Sequence, residues 1–333
     1  MKKGVLFGIL IAFFLCLESA YADSCDVLDF FDDTYVGVGA IDMQKMPERA
    51  IYGKLMSFFM TDQDARRVLV DLEASGLTSK SVRRIVVGIP SDVEQAEFLM
   101  VWETVSPLAP YMPVLEKYVD SLDRKQSAGQ TYYCKKQGGQ CLLLLNDVLV
   151  LASPSKMENF IRQLGSDARP KTATRLKKLT ASVNQDRDAW LVFWLDDAQR
   201  ARIGQGDPLV DMRAQGKGEL RLGSVQSGDV AIDFSEGLNA EVVVRMIGPE
   251  QARAFSEILA SLLETARHDE DIMALGLVDV ISGIHVKAAQ KNLHVSIRFS
   301  HDTFSRLIDV ISDLVRMAAR DGLEQATAGQ LQP

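Results

Sequence analysis

Histidine and cysteine are scarce, at four residues each in 333, and tryptophan occurs three times. So few histidines and thiols leave little material for a metal centre built on imidazole or thiolate, or for a cysteine nucleophile. The patterns G-x-S-x-G, H-E-x-x-H, C-x-x-C and the P-loop are all missing, which removes the common serine-hydrolase, zinc-protease, thiol-redox and nucleotide-phosphate chemistries. Excess positive charge is missing too. Lys and Arg number 37 against 45 Asp and Glu, a net of −8. A general nucleic-acid binder needs a basic face to neutralise phosphates, so that class is set aside. After the first residues no apolar run is long enough to cross a bilayer as a helix, which takes roughly 20 residues.

What is present begins with a targeting segment. Lys2 and Lys3 precede an apolar run from Val5 to Leu17, and Ala20-Tyr21-Ala22 forms a small-x-small cleavage site. This three-part layout predicts a signal peptide over residues 1–22 and a periplasmic or secreted mature chain. Cleavage takes Lys2, Lys3 and Glu18 away and moves the net charge from −8 to −9. Cys25 lies just past the site, but only Ser24 of the residues before it suits a lipid-modified cysteine.

Cysteine usage agrees with export. The segment Tyr132 to Leu142 reads as a hairpin whose polar, glycine-bearing turn is centred between Gln137 and Gly138, which sets Cys134 opposite Cys141 and predicts a disulfide. Oxidising compartments permit one. Cys25 is left over.

The chain also resembles itself. Asp33–Lys45 lies ungapped over Asp188–Arg200, Val86–Trp102 over Val230–Met246, and Val148–Lys156 over Leu293–His301. Ser106-Pro107 falls where Gly248-Pro249 falls, each a helix start with proline at the first helical position. The expected organisation is therefore a signal peptide (1–22), a first α+β repeat (23–165), a basic linker or helix (166–187), a second α+β repeat (188–318) and a disordered tail (319–333). Hairpin-like strand pairs alternating with helices predict α+β units. Each is read as a mostly antiparallel sheet covered by helices on one face. Helices are expected around Ile51–Met60 and Ala65–Glu73. Others follow along the stripe Tyr111, Val114, Leu115, Tyr118, Leu122, from Ser155 with Glu158 closing a capping box, and along Phe255, Ile258, Leu259 and Leu262.

Several residues invite chemistry. Ser153-Pro154-Ser155-Lys156 has the S-x-x-K spacing of serine β-lactam-recognising enzymes, but S-D-N and K-T-G are absent, and a helix cap accounts for the same residues. Asp42 with Asp197, and Glu97 with Glu241, are carboxylates at matched places that could do acid–base work if they converged. His285 and His294 could face each other on adjacent strands, and His268-Asp269-Glu270-Asp271 is the densest group of potential metal ligands. Arg169, Lys171, Arg175, Lys177 and Lys178 form a basic, weakly amphipathic stretch suited to an anionic partner. Trp190 and Trp194 share one face of a strand and suit a core.

The sequence therefore predicts no cofactor, no metal and no catalytic residue. It points to an exported, non-enzymatic binding protein whose partner is a protein or an apolar ligand of the cell envelope. The alternatives are a carrier of lipid-like ligands and an envelope hydrolase without a recognisable motif.

Overall fold

In a computed structural model the chain is described over residues 27–32, 34–50, 52–53, 74, 78–91, 97–111, 122–135, 139–164, 174–205 and 222–310. The segment expected to be a signal peptide, Cys25, Arg169, Lys171, the expected tail, most of the helices expected at 51–60 and 65–73 and all but the ends of the stripe expected from Tyr111 to Leu122 lie outside these residues.

Among the described residues twelve strands form one sheet. They are β1 (Tyr35–Asp42), β2 (Val82–Pro90), β3 (Leu99–Thr104), β4 (Leu122–Ser127), β5 (Gln130–Lys135), β6 (Cys141–Leu144), β7 (Val148–Ala152), β8 (Ala189–Trp194), β9 (Val225–Asp233), β10 (Leu238–Met246), β11 (Ile284–Ala289) and β12 (Asn292–Phe299). The order across the sheet is β11-β12-β10-β9-β8-β1-β2-β3-β7-β6-β5-β4. Every neighbouring pair is antiparallel. Six helices accompany it among the described residues: α1 (Pro154–Leu164), α2 (Thr174–Thr180), α3 (Asp197–Gln205), α4 (Pro249–Arg267), α5 (Glu270–Ala274) and α6 (Val278–Ser282), with further helical residues at 301–310. The class is α+β with a large antiparallel sheet.

Two separate sheets do not form, because β1 and β8 pair directly, Val38 against Val192 and Ala40 against Trp190. Read outward from that pair, the order is β1-β2-β3-β7-β6-β5-β4 on one side and β8-β9-β10-β12-β11 on the other. The residue matching does not follow the ladders. Leu99 pairs with Ala152, whereas their sequence counterparts part company: Val243 faces His294 and Ile297 faces Ala240. The slip is three residues, and an odd slip turns side chains to the other face of a sheet.

Helices lie on both faces, not one. α1 and α2 bring Met157, Phe160, Ile161, Leu176 and Leu179 onto Val38, Val101, Val150 and Val192. On the opposite face α4 brings Ala252 and Phe255 onto Leu293, with Val244, Val286 and Val295 alongside. β3 (LMVWET) and β7 (VLVLA) are apolar without alternation, so both of their sides need cover, which the first core supplies on one and Met43, Met46 and Leu108 on the other. The N-terminal turn Val27–Phe30 adds Val27, Leu28 and Phe30 to the first core, followed by Phe31. Gly88 on β2 is the reason Phe31 fits, since a Cβ there would meet its ring at 2.6 Å.

The stripe expected to run helically to Leu122 ends otherwise: Leu122 opens β4. Its partner is β5, across a two-residue turn in which Ala128 and Gly129 have φ of 44° and 79°, the backbone of a tight hairpin. Proline at the first helical position holds for α4, with Gly248 as the N-cap. The capping box at Ser155 does not hold. α1 starts at Pro154, and the carbonyl of Ser153 accepts from the N–H of Met157 at 2.9 Å, so Ser153 is the cap residue and Ser155 lies inside the helix. Proline favours the first turn because its missing N–H is unpaired there anyway.

Candidate functional site

The basic stretch is the first candidate. α2 carries Arg175, Lys177 and Lys178 outward, while Leu176 and Leu179 are buried in the core over β1 and β8. The helix thus lies across the middle of the sheet with its cations in solvent. Arg175 sits over the ring of Trp194, 5.6 Å from guanidinium carbon to centroid, a contact in which the ring face attracts the cation. Trp190 and Trp194 do share a face; Trp190 is buried in the core beneath α2, and Trp194 is partly buried against it.

The second candidate surrounds Lys156, the lysine of the S-x-x-K pattern. Lys156 is only 7% exposed. Its Nζ lies 3.1 Å from Glu97 Oε2 and donates to Thr34 Oγ1 at 3.2 Å. It also stands 5.0 Å from the centroid of Tyr35. Ser155 Oγ donates to the other oxygen of Glu97 at 2.6 Å. Thr34 in turn donates to Asp32, as does Gln163. The hydrogen bond from Ser155 is the main reason the Glu97 carboxyl is held below the usual carboxylate range; the bond and charge of Lys156 add to it against partial desolvation. Burial, then the Asp32 and Glu97 carboxylates, push the Tyr35 phenol well above its ordinary range, so it stays neutral. The small recess lined by Thr34, Lys156, Asn159 and Gln163 has room for about one water. Lys156 is engaged by a carboxylate, and Ser153 Oγ, buried, makes no hydrogen bond to it or to any other group. The cluster locks the N-terminal turn onto α1, helped by the Phe30–Phe160 ring contact at 4.4 Å.

A third polar centre ties the two sides of the sheet together. Asp188, 1% exposed, receives Arg49 Nη2 at 2.7 Å and the N–H of Phe234 at 2.6 Å. The hydrogen bond to Asp188 is the first cause that raises the Arg49 guanidinium above its already high value. Beside it, Arg187 pairs with Asp233 at 2.9 Å. Desolvation alone would raise Asp233. The hydroxyl and N–H of Ser235, with Arg187, outweigh it and hold Asp233 at about 2.

The remaining sequence candidates disperse. Asp42 ends β1 and Asp197 follows β8, its antiparallel neighbour, so the two acids sit at opposite ends of the strand pair. Glu97 precedes β3 and Glu241 lies on β10, five strand spacings apart, roughly 24 Å at about 4.8 Å each. Neither carboxylate pair converges. His285 and His294 share a face but are one pair out of register: His285 lies opposite Ser296, and His294 opposite Lys287. Asp269 caps α5, accepting from the N–H groups of Asp271 and Ile272. Among the described residues no three potential metal ligands cluster. The disulfide is present: Cys134 and Cys141 pair across β5 and β6 and are bonded.

No protein-family model and no curated protein matches this sequence. Fold comparison gives likenesses. Solved structures of TP0453 in crystal forms I, III and IV superpose with TM-scores of 0.50, 0.51 and 0.50 at 11%, 11% and 12% identity. They cover 88%, 87% and 87% of this chain and 99%, 99% and 97% of theirs. The likeness runs over nearly the whole length and is one of fold.

Proposed function

We propose that this is an exported protein, processed after Ala22, that acts by binding a component of the cell envelope rather than by catalysis. The observation that carries the reading is α2: a helix anchored by Leu176 and Leu179 that displays Arg175, Lys177 and Lys178 in a chain of net charge −8. Local positive charge on an acidic protein selects anionic partners by steering them to one place. The disulfide Cys134–Cys141 supports an oxidising compartment. No helix among the described residues is long and apolar enough to cross a membrane. The polar clusters around Lys156 and Asp188 bond internally, as structural networks do.

The reading includes descent of both sides of the sheet from one duplicated unit. The outward strand order from β1 and β8 supports it. A carrier of lipid-like ligands is the second reading. Its support is the indole N–H of Trp102, fully buried in an apolar cluster and without an acceptor. A bound ligand's oxygen could supply one.

The test is a pull-down from envelope extract with the mature chain and with its Arg175→Glu, Lys177→Glu, Lys178→Glu variant, followed by mass spectrometry of co-purified proteins and lipids. A near-stoichiometric partner lost in the variant supports the binding reading. Equal capture by both removes α2 from it, and a clean wild-type chain removes binding itself.

A further inference from the structure

The sheet has two edges, and they are built differently. β4 (LDRKQS) is exposed at Asp123, Arg124, Lys125 and Gln126, so both of its faces are hydrated and carry charge. Charges on both faces of an edge strand discourage further pairing. β11 (IHVKAA) alternates. His285, Lys287 and Ala289 are exposed on one face, while Ile284, Val286 and Ala288 lie half-buried on the face covered by α4. All six residues pair with β12 in unbroken register. The direction of the free backbone groups follows from one bond. The N–H of Arg298 donates to the carbonyl of Gly283 at 2.9 Å, so Gly283 points toward β12. Backbone groups alternate along an antiparallel strand. The N–H and C=O groups of Ile284, Val286 and Ala288 therefore point off the edge.

The exposed face beside that edge is cationic. Lys287 and Arg298 are exposed on β11 and β12, with His285 and His294 between them. No acid stands on that face of the two strands. The nearest charged groups on the next two strands are Glu241, opposite Ser296, and the Arg245–Asp229 pair at 2.6 Å.

We propose that β11 is a docking edge for an extended acidic segment of a partner protein, which adds to the sheet as a further strand. Its backbone meets the outward groups of Ile284, Val286 and Ala288. Its alternate acidic side chains face Lys287 and Arg298, and its apolar ones continue the half-buried row of Ile284 and Val286. Added strands take affinity from main-chain hydrogen bonds and specificity from alternate side chains. The free N–H groups favour a polypeptide over a lipid or nucleic-acid partner, which would read only the charge. This deepens the binding reading above but concerns a surface remote from α2, so either can fail alone.

The probe is a short fluorescent peptide alternating Glu and Val, titrated into the mature chain and followed by anisotropy. Its control is the same peptide N-methylated along one edge, which keeps the charge and removes the donors. Val286→Pro deletes an outward N–H without touching the β11–β12 ladder, and edge positions of that kind tolerate proline. Loss of one such bond with its partner left unpaired weakens binding about tenfold. The expected result is binding by wild type, with about tenfold weakening in Val286→Pro and a larger loss on N-methylation, which removes several donors at once. Lys287→Glu with Arg298→Glu, which leaves the backbone alone, weakens binding at least as much, and circular dichroism melts report that each variant folds. Equal binding by wild type and folded Val286→Pro overturns the proposal, as does equal binding of the methylated peptide. No binding by wild type up to about 1 mM, the range of a bare few kcal/mol, also overturns it. Phosphatidylglycerol vesicles whose binding needs Lys287 and Arg298 but not the Val286 N–H would replace it with a lipid surface.

Discussion

β3 and β10 occupy the same place in the order on their two sides of the sheet, yet they are treated differently. Five of the six residues of β3 are buried, against two of the nine in β10, Ala240 and Met246. Around β3 the sheet has apolar cover on both faces: the N-terminal turn, α1 and α2 on one, and the Met43, Met46 and Trp102 cluster on the other. Around β10 one face is packed under α4, and the other shows Glu241, His294 and Arg298 to solvent. A shared strand order thus carries two degrees of packing. One side concentrates the burial that stabilises the fold, and the other leaves one face of the sheet regular, polar and exposed.

The sharpest way to break that comparison is to cut both sides. Trp102 is fully buried, and Trp102→Ala should cost about 4 kcal/mol through lost burial and the cavity left behind. Val243, half-buried on the open face of β10, should cost under about 1 kcal/mol as Val243→Ala. Urea unfolding of the two variants measures the difference. Similar losses would mean that the second side is packed as tightly as the first.

Asp188 joins the two sides, and its removal ranks next. Asp188→Ala strands the Phe234 N–H and leaves Arg49 without its carboxylate, for a loss of about 3 kcal/mol. Because the stitch is shared, both sides should unfold together in wild type and separate in the variant. Two unfolding steps followed by tryptophan fluorescence, since Trp102 lies on one side and Trp190 and Trp194 at the junction, would display this. The disulfide belongs to the first side alone. Replacing Cys134 and Cys141 by Ala should cost about 2–3 kcal/mol on the chain-entropy view of a short loop. A melting point unaltered by reductant in wild type would show that β5 and β6 hold without the bond.

Acid tests the junction more gently. Asp233 is held at about 2 in the folded chain, below an ordinary aspartate near 3.9. A depressed carboxyl contributes stability that is complete above the unfolded value and lost as pH falls toward the folded one. The window is therefore about pH 4 down to 2, worth on the order of 2 kcal/mol. Glu97 is lowered as well and adds in the same direction. Wild type should lose stability through this window faster than Asp233→Asn, measured by urea midpoints at each pH. Parallel curves would remove Asp233 from the account.

Much of this was open to reading from residues. The apolar run Phe98–Trp102, the alternating rows and the turn between Cys134 and Cys141 mark strands and a disulfide because their signals are local. β4 was missed because LDRKQS has no apolar face to alternate. The Ala128-Gly129 pair before Gln130 was the available signal, since a glycine there suits the positive φ of a tight hairpin turn. Ser153 and Ser155 compete as caps on equal terms by residue type; Pro154 decides between them. Ladder registers and the ion pair of Glu97 with Lys156 depend on contacts between distant segments, and no local pattern encodes them. The same holds for the failure of Asp42 and Asp197 to converge, which follows from β1 and β8 running antiparallel.

The smallest expected effect on stability is the one that separates surface from core most cleanly. Reversing Arg175, Lys177 and Lys178 to Glu changes exposed side chains on α2 while leaving Leu176 and Leu179 in place. Exposed charges in water contribute little, so the folded chain should lose no more than about 0.5 kcal/mol, plus a similar amount for the Arg175–Trp194 contact. A loss of several kcal/mol in urea would mean that the cations hold α2 against the sheet, making the patch part of the fold's own electrostatics. A small loss, with partner capture abolished, leaves binding as the reason for placing three cations over the centre of an acidic molecule.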